Sequence, residues 1–517
     1  MFVRRKVNKS GTISVQVISK NRGNYKVERS FGAVRAESDI VCLEEQARQY
    51  VRAQEGFVDS LFIDRDETSF KNFVSSITND SIRVIGPELI FGQLYDRIGF
   101  SQVKSDMFRH LVISRLFSPG SKLKTIDYLE RYQGISYSKD TVYRFLDRLC
   151  SKDKAKSETD IKKQVEQISF HHTKKVLKGK ISVVFYDMTT LYFEASDEDD
   201  LRKTGFSKDG KHQCPQIFLG LLVAAEGNPI GYEIFEGNIF EGHTFIPVLQ
   251  KMAKRFSLGK PVVIADSGLL SDNNIASLEE DGYKYILGAR PKNVKDEIKQ
   301  KILSLLPKDG QTASISLEGK KRLILSMSNR RANKDAKNRE RGLMRLQKRL
   351  NSGKLTKANI NNRGYNKYLK LEGKIRISIN MDKYNADAAW DGLKVYKTNT
   401  RLSAKKIIEN YGNLWYIERA FRMNKTDLRI RPIYHHVRNR IEGHICICFT
   451  AYSILLETER MLKKYLPETT LKRAQELVKT MYQLTYRIPS SRETHTQVLG
   501  MSDEQHKLYE TVCRWCR

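Results

Sequence analysis

Residues 403–428 read SAKKIIENYGNLWYIERAFRMNKTDL, and the fold of the chain turns on how they are read. Ser403 can cap the free amides of a first turn, so the pattern predicts one long helix running to Leu428. Tyr411, Leu414, Glu418 and Lys425 follow one another at intervals of three, four and seven residues. At ~100° per residue these four fall within about 60° of one another, on a single face. Isoleucine, tryptophan, tyrosine and phenylalanine fill much of the remaining surface, which predicts a largely buried helix. A carboxylate and a lysine in such a place need partners or a task. Partners for Glu418 have to come from elsewhere in the chain.

Upstream, the character of the sequence changes at Lys180. ISVVFYDMTTLYFE is a β-branched, aromatic strand with Asp187 inside it. PQIFLGLLVAAEG and PIGYEIFEG are two further apolar strands, joined through the turn pair Gly227-Asn228. A helix is expected over Thr244–Phe256, then a buried strand in PVVIADSGLLS that ends at Asp266. A helix near Asn273–Glu280 and a strand over Tyr283–Arg290 follow. Three strands, helix, strand, helix, strand and then the long helix give an α/β order. It matches the ribonuclease-H-like arrangement, a mixed sheet with helices on both faces. The core is expected in two parts, residues 179–290 and 401–465.

Between those parts lie residues 291–400, too long a stretch for a loop and expected to be an inserted domain, partly β. SISLEG, KKRLILSMS, KIRISINMDK and GLKVYKTN are strand-like pieces within it. Between them NRRANKDAKNRERGLMRLQKRL carries nine basic residues against two acidic ones. That excess favours contact with a DNA backbone over a merely solvated helix.

Residues 1–83 open with alternating apolar and polar positions around Asn21-Arg22-Gly23-Asn24, the signature of a β-hairpin. A polar helix around Leu43–Ala53 and a polar linker follow. The Arg and Lys residues of the hairpin can track a phosphate backbone or simply be solvated. Residues 84–178 are expected to be helical and to bind DNA. Ser138 caps a helix that carries Lys139, Tyr143 and Arg144 near its start, as in a helix-turn-helix reader, although generic bundles share that pattern. Beyond Pro432 a second long helix begins near His436, with Val437, Ile441, Ile445, Phe449 and Tyr452 on its apolar stripe. His435, His436 and His444 lack a second histidine at metal spacing and are read as packing and phosphate-contact residues. Residues 466–517 form a C-terminal helical region.

The 517 residues hold 91 Lys and Arg against 60 Asp and Glu, a formal charge of +31 spread along the whole chain. Such a surface points to a polyanion, nucleic acid above all. The longest apolar run, Ile445–Leu456, is too short to span a bilayer, and no membrane partner is expected. Seven scattered cysteines suit a reducing cytoplasm, and Cys513-x-x-Cys516 has no second pair to make a zinc site. No glycine loop of the nucleotide-binding kinds is present.

Asp187 interrupts an apolar strand, Asp266 closes a strand expected beside it, and Glu418 comes from the helix expected to pack across both. Each acid has an innocent reading: Asp187 can cap a turn, Asp266 the next helix, and Glu418 can pair with Arg422. Their joint occurrence in this order favours a carboxylate cluster for Mg²⁺, with Mn²⁺ able to substitute. Two such ions suit phosphodiester chemistry.

YDMTTLYFE, GFSKDG followed by PQIFLGLL, GYEIFEGNIFEGHT, VVIADSGLLS and YGNLWYIERAFRMNKTDLRIRP together resemble the successive motifs of bacterial insertion-sequence DDE transposases. The resemblance covers about Ile181–Leu456 and is nearest to the IS-four-type superfamily, whose glutamate lies in a Y-x2-R-x3-E-x6-K motif. It implies that Asp187, Asp266 and Glu418 are the catalytic, metal-binding triad, and that Tyr411 and Lys425 contact transposon-end DNA. The motif arginine is Leu414 here, and Arg419 or Arg422 are the candidates to supply its charge. The implied activity is cleavage of transposon ends and joining of their 3′-hydroxyls to target DNA. The implied partners are double-stranded DNA and a second copy of the chain in the synaptic complex, in a bacterial, nucleoid-associated setting. Two rival readings are a catalytically silent DNA-binding regulator of the same fold and a ribonuclease-H-like nuclease without strand transfer.

Overall fold

Alternation of apolar and polar residues at the start of the chain folds into a small sheet. The computed structural model describes residues 1–21, 23–54, 65–150, 160–269, 271–361, 364–372, 376–487 and 493–517. The turn residue Arg22 and residues 55–64 of the polar linker lie outside the described residues. The chain forms two units, Met1–Ile82 with Leu484–Gln497, and Arg83–Gln483 with Val498–Arg517. In the first, β1 (Phe2–Val7), β2 (Ile13–Asn21) and β3 (Asn24–Val34) make an antiparallel sheet in that order. Helix α1 (Glu37–Gln54) buries Ile40 and Ala47 against Val15 and Val17 on one face of it.

The second unit opens with helices, among them α2 (Asp106–Phe117), α3 (Lys139–Leu149) and α4 (Ile161–Val176). Ser105, Ser138 and Asp160 cap them, each accepting a backbone amide of the first turn. The central sheet follows: β4 (Val183–Tyr192), β5 (Gln216–Ala224) and β6 (Pro229–Glu236), then α5 (Phe245–Phe256), β7 (Val262–Ala265), α6 (Asp272–Glu280) and β8 (Lys284–Ala289). β4, β5 and β6 form an antiparallel meander, whereas β7 and β8 run parallel to β4 on its other side.

Residues 291–400 contribute to this same sheet. Strands β9 (Thr312–Ser316), β10 (Arg322–Met327) and, after the basic helix α7 (Asn329–Asn351), β11 (Leu393–Thr398) extend it antiparallel beyond β8. The eight strands lie in the order β9-β10-β11-β8-β7-β4-β5-β6. The pieces Leu369–Glu372 and Arg376–Ile379 pair separately, with each other.

Residues 403–428 are not one helix. Ser403 caps α8 (Ala404–Gly412), Asn413 and Leu414 form a turn, α9 (Trp415–Arg422) resumes, and Met423–Asp427 widens into a π turn. Gly412 and Asn413 are weak helix formers, and the amide of Leu414 bonds the carbonyl of Tyr411 in a tighter turn. Nor is the segment buried throughout, since Glu418 and Arg422 are exposed and Trp415 keeps 45% of its surface. Helix α10 (Arg438–Tyr465) departs from an amphipathic stripe in the other direction: every residue from Ile441 to Thr458 is buried. Packed on all sides, it is the central pillar against which α2, α3 and α4 rest. Among the described residues no helix is long and apolar enough to cross a membrane, and all seven cysteines are free.

Candidate active site

Strand alternation decides which side chains can meet. On β4, Val184, Tyr186 and Met188 pack with α5 and α6 on one face of the sheet, whereas Phe185 and Leu191 pack on the face that carries α9 and α10. Asp187 shares the parity of Phe185 and so points to the latter. On β7, Val263 and Ala265 take the first face and Ile264 the second, which gives Asp266 the same side as Asp187. The parallel register pairs Tyr186 with Ala265, so the two aspartates each stand one step beyond the last pair. A short loop or helix cap alone would not produce that match. Asp187, Asp266 and Glu418 all line one cavity of about 480 Å³, together with Tyr411, Leu414 and Trp415.

Asp187 is the perturbed acid of the site. Loss of water around it pushes its pKa up to about 6, and the charges of Glu241 and Asp266 push the same way. Lys208 and the amide of Met188 pull against that rise. The Lys208 ammonium stands 3.7 Å from Asp187 Oδ1 and 2.8 Å from Glu241 Oε1, and donates to the Met188 carbonyl at 2.6 Å. Burial disfavours the charge on Lys208, but the two carboxylates outweigh it and raise its pKa. Asp266 accepts a hydrogen bond of 3.1 Å from the Tyr411 hydroxyl. Burial, reinforced by Asp266, keeps that phenol protonated far above neutral pH.

Lys425 is held elsewhere. The break at Asn413–Leu414 and the π turn interrupt the helix that leads to it, and it does not line the cavity. Its ammonium lies 3.4 Å from Asp209 Oδ2, and Arg431 binds the same carboxylate oxygen. Burial and the neighbouring Arg431 lower the Lys425 pKa. Arg419 pairs with Glu459 and lies over the Trp415 ring, while Arg422 is exposed. The positive charge that reaches the cavity comes instead from Lys394 on β11 and Arg331 on α7.

Sequence reasoning passed over Lys208, Asp209, Glu241, Arg331 and Lys394. The first two stand in the quoted GFSKDG segment and Glu241 in GYEIFEGNIFEGHT, where a charged residue beside a motif was the available signal. The histidines behave as packing residues. His435 and His444 are buried and face Arg115 and Lys122, so burial and those cations depress both imidazoles, His435 to about 3.

The donor chemistry suits a hard divalent cation. Asp187 and Asp266 present two carboxylates at one end of the cavity, and a Mg²⁺ site commonly needs only one or two, completed by water and phosphate oxygens. Glu418 lines the same cavity without closing a three-carboxylate cluster: among the described residues no three His, Cys, Asp or Glu side chains stand close enough to hold one ion. Lys208 is the cation beside Asp187, shared with Glu241.

Residues 178–454 match the model of a family described as "Transposase DDE domain". No curated protein matches the chain. Among solved structures, the chain is similar to a piggyBac transposase synaptic complex with hairpin DNA, at 10% identity and TM-score 0.39, over 76% of this chain and 78% of that one. It is also similar to the Mos1 transposase paired-end complex with left transposon end, at 11% identity and TM-score 0.16, over 35% of this chain and 58% of that one. A third is the Mos1 mariner paired-end complex with Mn, at 9% identity and TM-score 0.15, over 48% of this chain and 75% of that one.

Proposed function

The chain belongs to the transposase DDE domain family, and from that premise we propose that it cleaves transposon ends and joins their 3′-hydroxyls to target DNA. The observation that carries this reading is the side-by-side placement of Asp187 and Asp266 on parallel strands, facing the helix of Glu418 across one cavity. The strand order β6-β5-β4-β7-β8, antiparallel then parallel, supports a ribonuclease-H-like core.

In this reading Asp187 and Asp266 would hold the divalent cations, and Glu418 would join them from the other side of the same cavity. Mg²⁺, or Mn²⁺ in its place, would supply charge to the phosphate oxygens and acidify the attacking water or 3′-hydroxyl. Tyr411 fixes the orientation of Asp266. Lys208 balances the charge of Asp187 and Glu241. Lys394 and Arg331 offer the cavity the positive charge that Leu414 does not, while Lys425 and Arg431 are poised to exchange Asp209 for a DNA phosphate. Double-stranded DNA is the partner that the +31 charge favours, and joining two ends calls for a dimer in the synaptic complex.

A target-joining assay tests the proposal. Purified protein, Mg²⁺ and duplexes carrying the inverted repeats that flank the gene should yield ends covalently joined to a target plasmid. Cleaved ends that never join would favour a nuclease of the same fold. Bound ends that are never cut would favour a silent regulator.

A further inference from the structure

We propose that the outward face of the N-terminal sheet reads the major groove of DNA, which assigns sequence recognition to strands rather than to a helix. The inference rests on the DNA-transposase reading above, and it concerns a surface far in sequence from the candidate acids. Residues 1–35, which make up the sheet, hold nine Lys and Arg and a single acid, Glu28.

Register sorts those charges onto two faces. Val3, Val15 and Val17 pack toward α1. Arg5, paired with Val15, points the same way and binds Glu37 at 2.8 Å and Glu44 at 3.0 Å on that helix. Arg4 and Lys6 alternate with these residues and therefore face away. Across the strands Arg4 pairs with Gln16 and Gln16 with Ser30, while Lys6 pairs with Ser14 and Ser14 with Ala33. The outward face thus sets Gln16, Ser30 and Ala33 beside the basic side chains of β1, and gives way at its other end to an apolar patch where Ile18 lies between Phe2 and Val27. Arg4, Lys6, Ser30 and Ala33 are exposed, and Arg4 donates to Gln16 Oε1 at 3.3 Å.

Dimensions and chemistry agree with one occupant. Three strands span about 10 Å, and the major groove of B-DNA is about 12 Å wide. Arginine and glutamine are the side chains that pair in two places with guanine and adenine edges. Small exposed neighbours, Ser30 and Ala33, let this part of the sheet lie flat against the base pairs. Lys6, at the outer strand, is placed for a phosphate. α1, by contrast, turns Glu37 and Glu44 toward Arg5, so the helix side of the unit has its charge already answered.

The test uses the full-length protein, a duplex cut from the DNA flanking the gene's ends, and a scrambled duplex of the same composition. Arg4→Ala with Lys6→Ala should weaken binding to the end duplex tenfold or more and lower the slope of log affinity against log salt by about one, the share of the Lys6 phosphate contact. Gln16→Ala should reduce preference for the end over the scrambled duplex while leaving scrambled binding unchanged. All three positions face outward, so the variants should melt with the wild type. Unchanged end binding and salt slope in the double variant would overturn the inference. So would equal competition by an RNA duplex of the same sequence, whose deep, narrow major groove does not admit a sheet. Mn²⁺-dependent nicking of plasmid, which the proposed function makes dependent on Asp187, separates the two claims: its loss in the sheet variants is not expected, and its persistence in Asp187→Ala would count against the active site alone.

Discussion

Tyr411 reaches Asp266 across 3.1 Å because residue 288 is glycine. A Cβ at that position on β8 would run into the Tyr411 hydroxyl and stand 3.1 Å from its ring carbon Cζ. Glycine here serves a close approach and not an unusual backbone angle. The sheet, the break after α8 and a strand-end acid are thereby joined through one phenol.

Removing that join should weaken the site without unfolding it. Groups that orient a metal-binding carboxylate typically matter about ten- to a hundredfold in affinity or activity. Tyr411→Phe and Gly288→Ala are each expected to lower cleavage within that range and to raise the Mn²⁺ concentration needed for half-maximal rate. Titrating Mn²⁺ at fixed DNA checks this, and a loss of rate with no change in metal dependence would place Tyr411 on the DNA instead.

The pH profile should report Asp187. Its carboxyl must be ionised to bind a cation, and it ionises near 6 in the folded protein. Cleavage should therefore fall about tenfold per unit as pH drops below 6. Lys208→Gln removes the cation that opposes this shift, so its acid limb should move to higher pH.

The same shift carries a sign for stability. A raised carboxyl pKa means that the native state holds its proton more tightly than the unfolded chain does. The associated stability is full below about 4 and is lost as pH rises through about 6. Asp187→Asn, which stays neutral, should then stabilise the metal-free protein by roughly 1–3 kcal/mol at pH 8 and by little at pH 4. Urea denaturation at the two pH values measures it.

Asp209 holds Lys425 and Arg431 together. Asp209→Asn should free both cations for phosphate, raising affinity for DNA at low salt and steepening its salt dependence. Lys394→Gln and Arg331→Gln should each lower the salt slope by about one. Filter binding across a salt series distinguishes these effects.

Much of the sheet was legible because its strands are apolar runs set off by turn residues. β4, β5, β6, β7 and β8 all lie where the sequence predicts strands. Asp187 stood out because an acid inside such a run has few innocent uses, and Glu418 because of its spacing from Tyr411. Other features were hidden for definite reasons. The break at Asn413–Leu414 depends on two weak helix formers inside a strongly periodic stretch, and an ideal helix drawn through it leaves out both that break and the π turn before Lys425. That β9, β10 and β11 continue the main sheet is a matter of which edges pair, and local pattern does not encode pairing. Lys394 acquires its meaning only from groups far away in sequence, whereas Lys208 stood beside a motif and Arg331 within the basic segment, and only the fold shows that Arg331 lines the cavity and Lys208 stands beside Asp187.

Mg²⁺-dependent cleavage of the gene's flanking end duplex by wild type, Asp187→Asn, Asp266→Asn and Glu418→Gln tests the central claim most directly. Cleavage by the wild type, lost in all three variants while each still binds the duplex, is the predicted result. Undiminished cleavage in any one of the three would contradict the assignment of that carboxylate, and undiminished cleavage in Asp187→Asn would contradict the account as a whole.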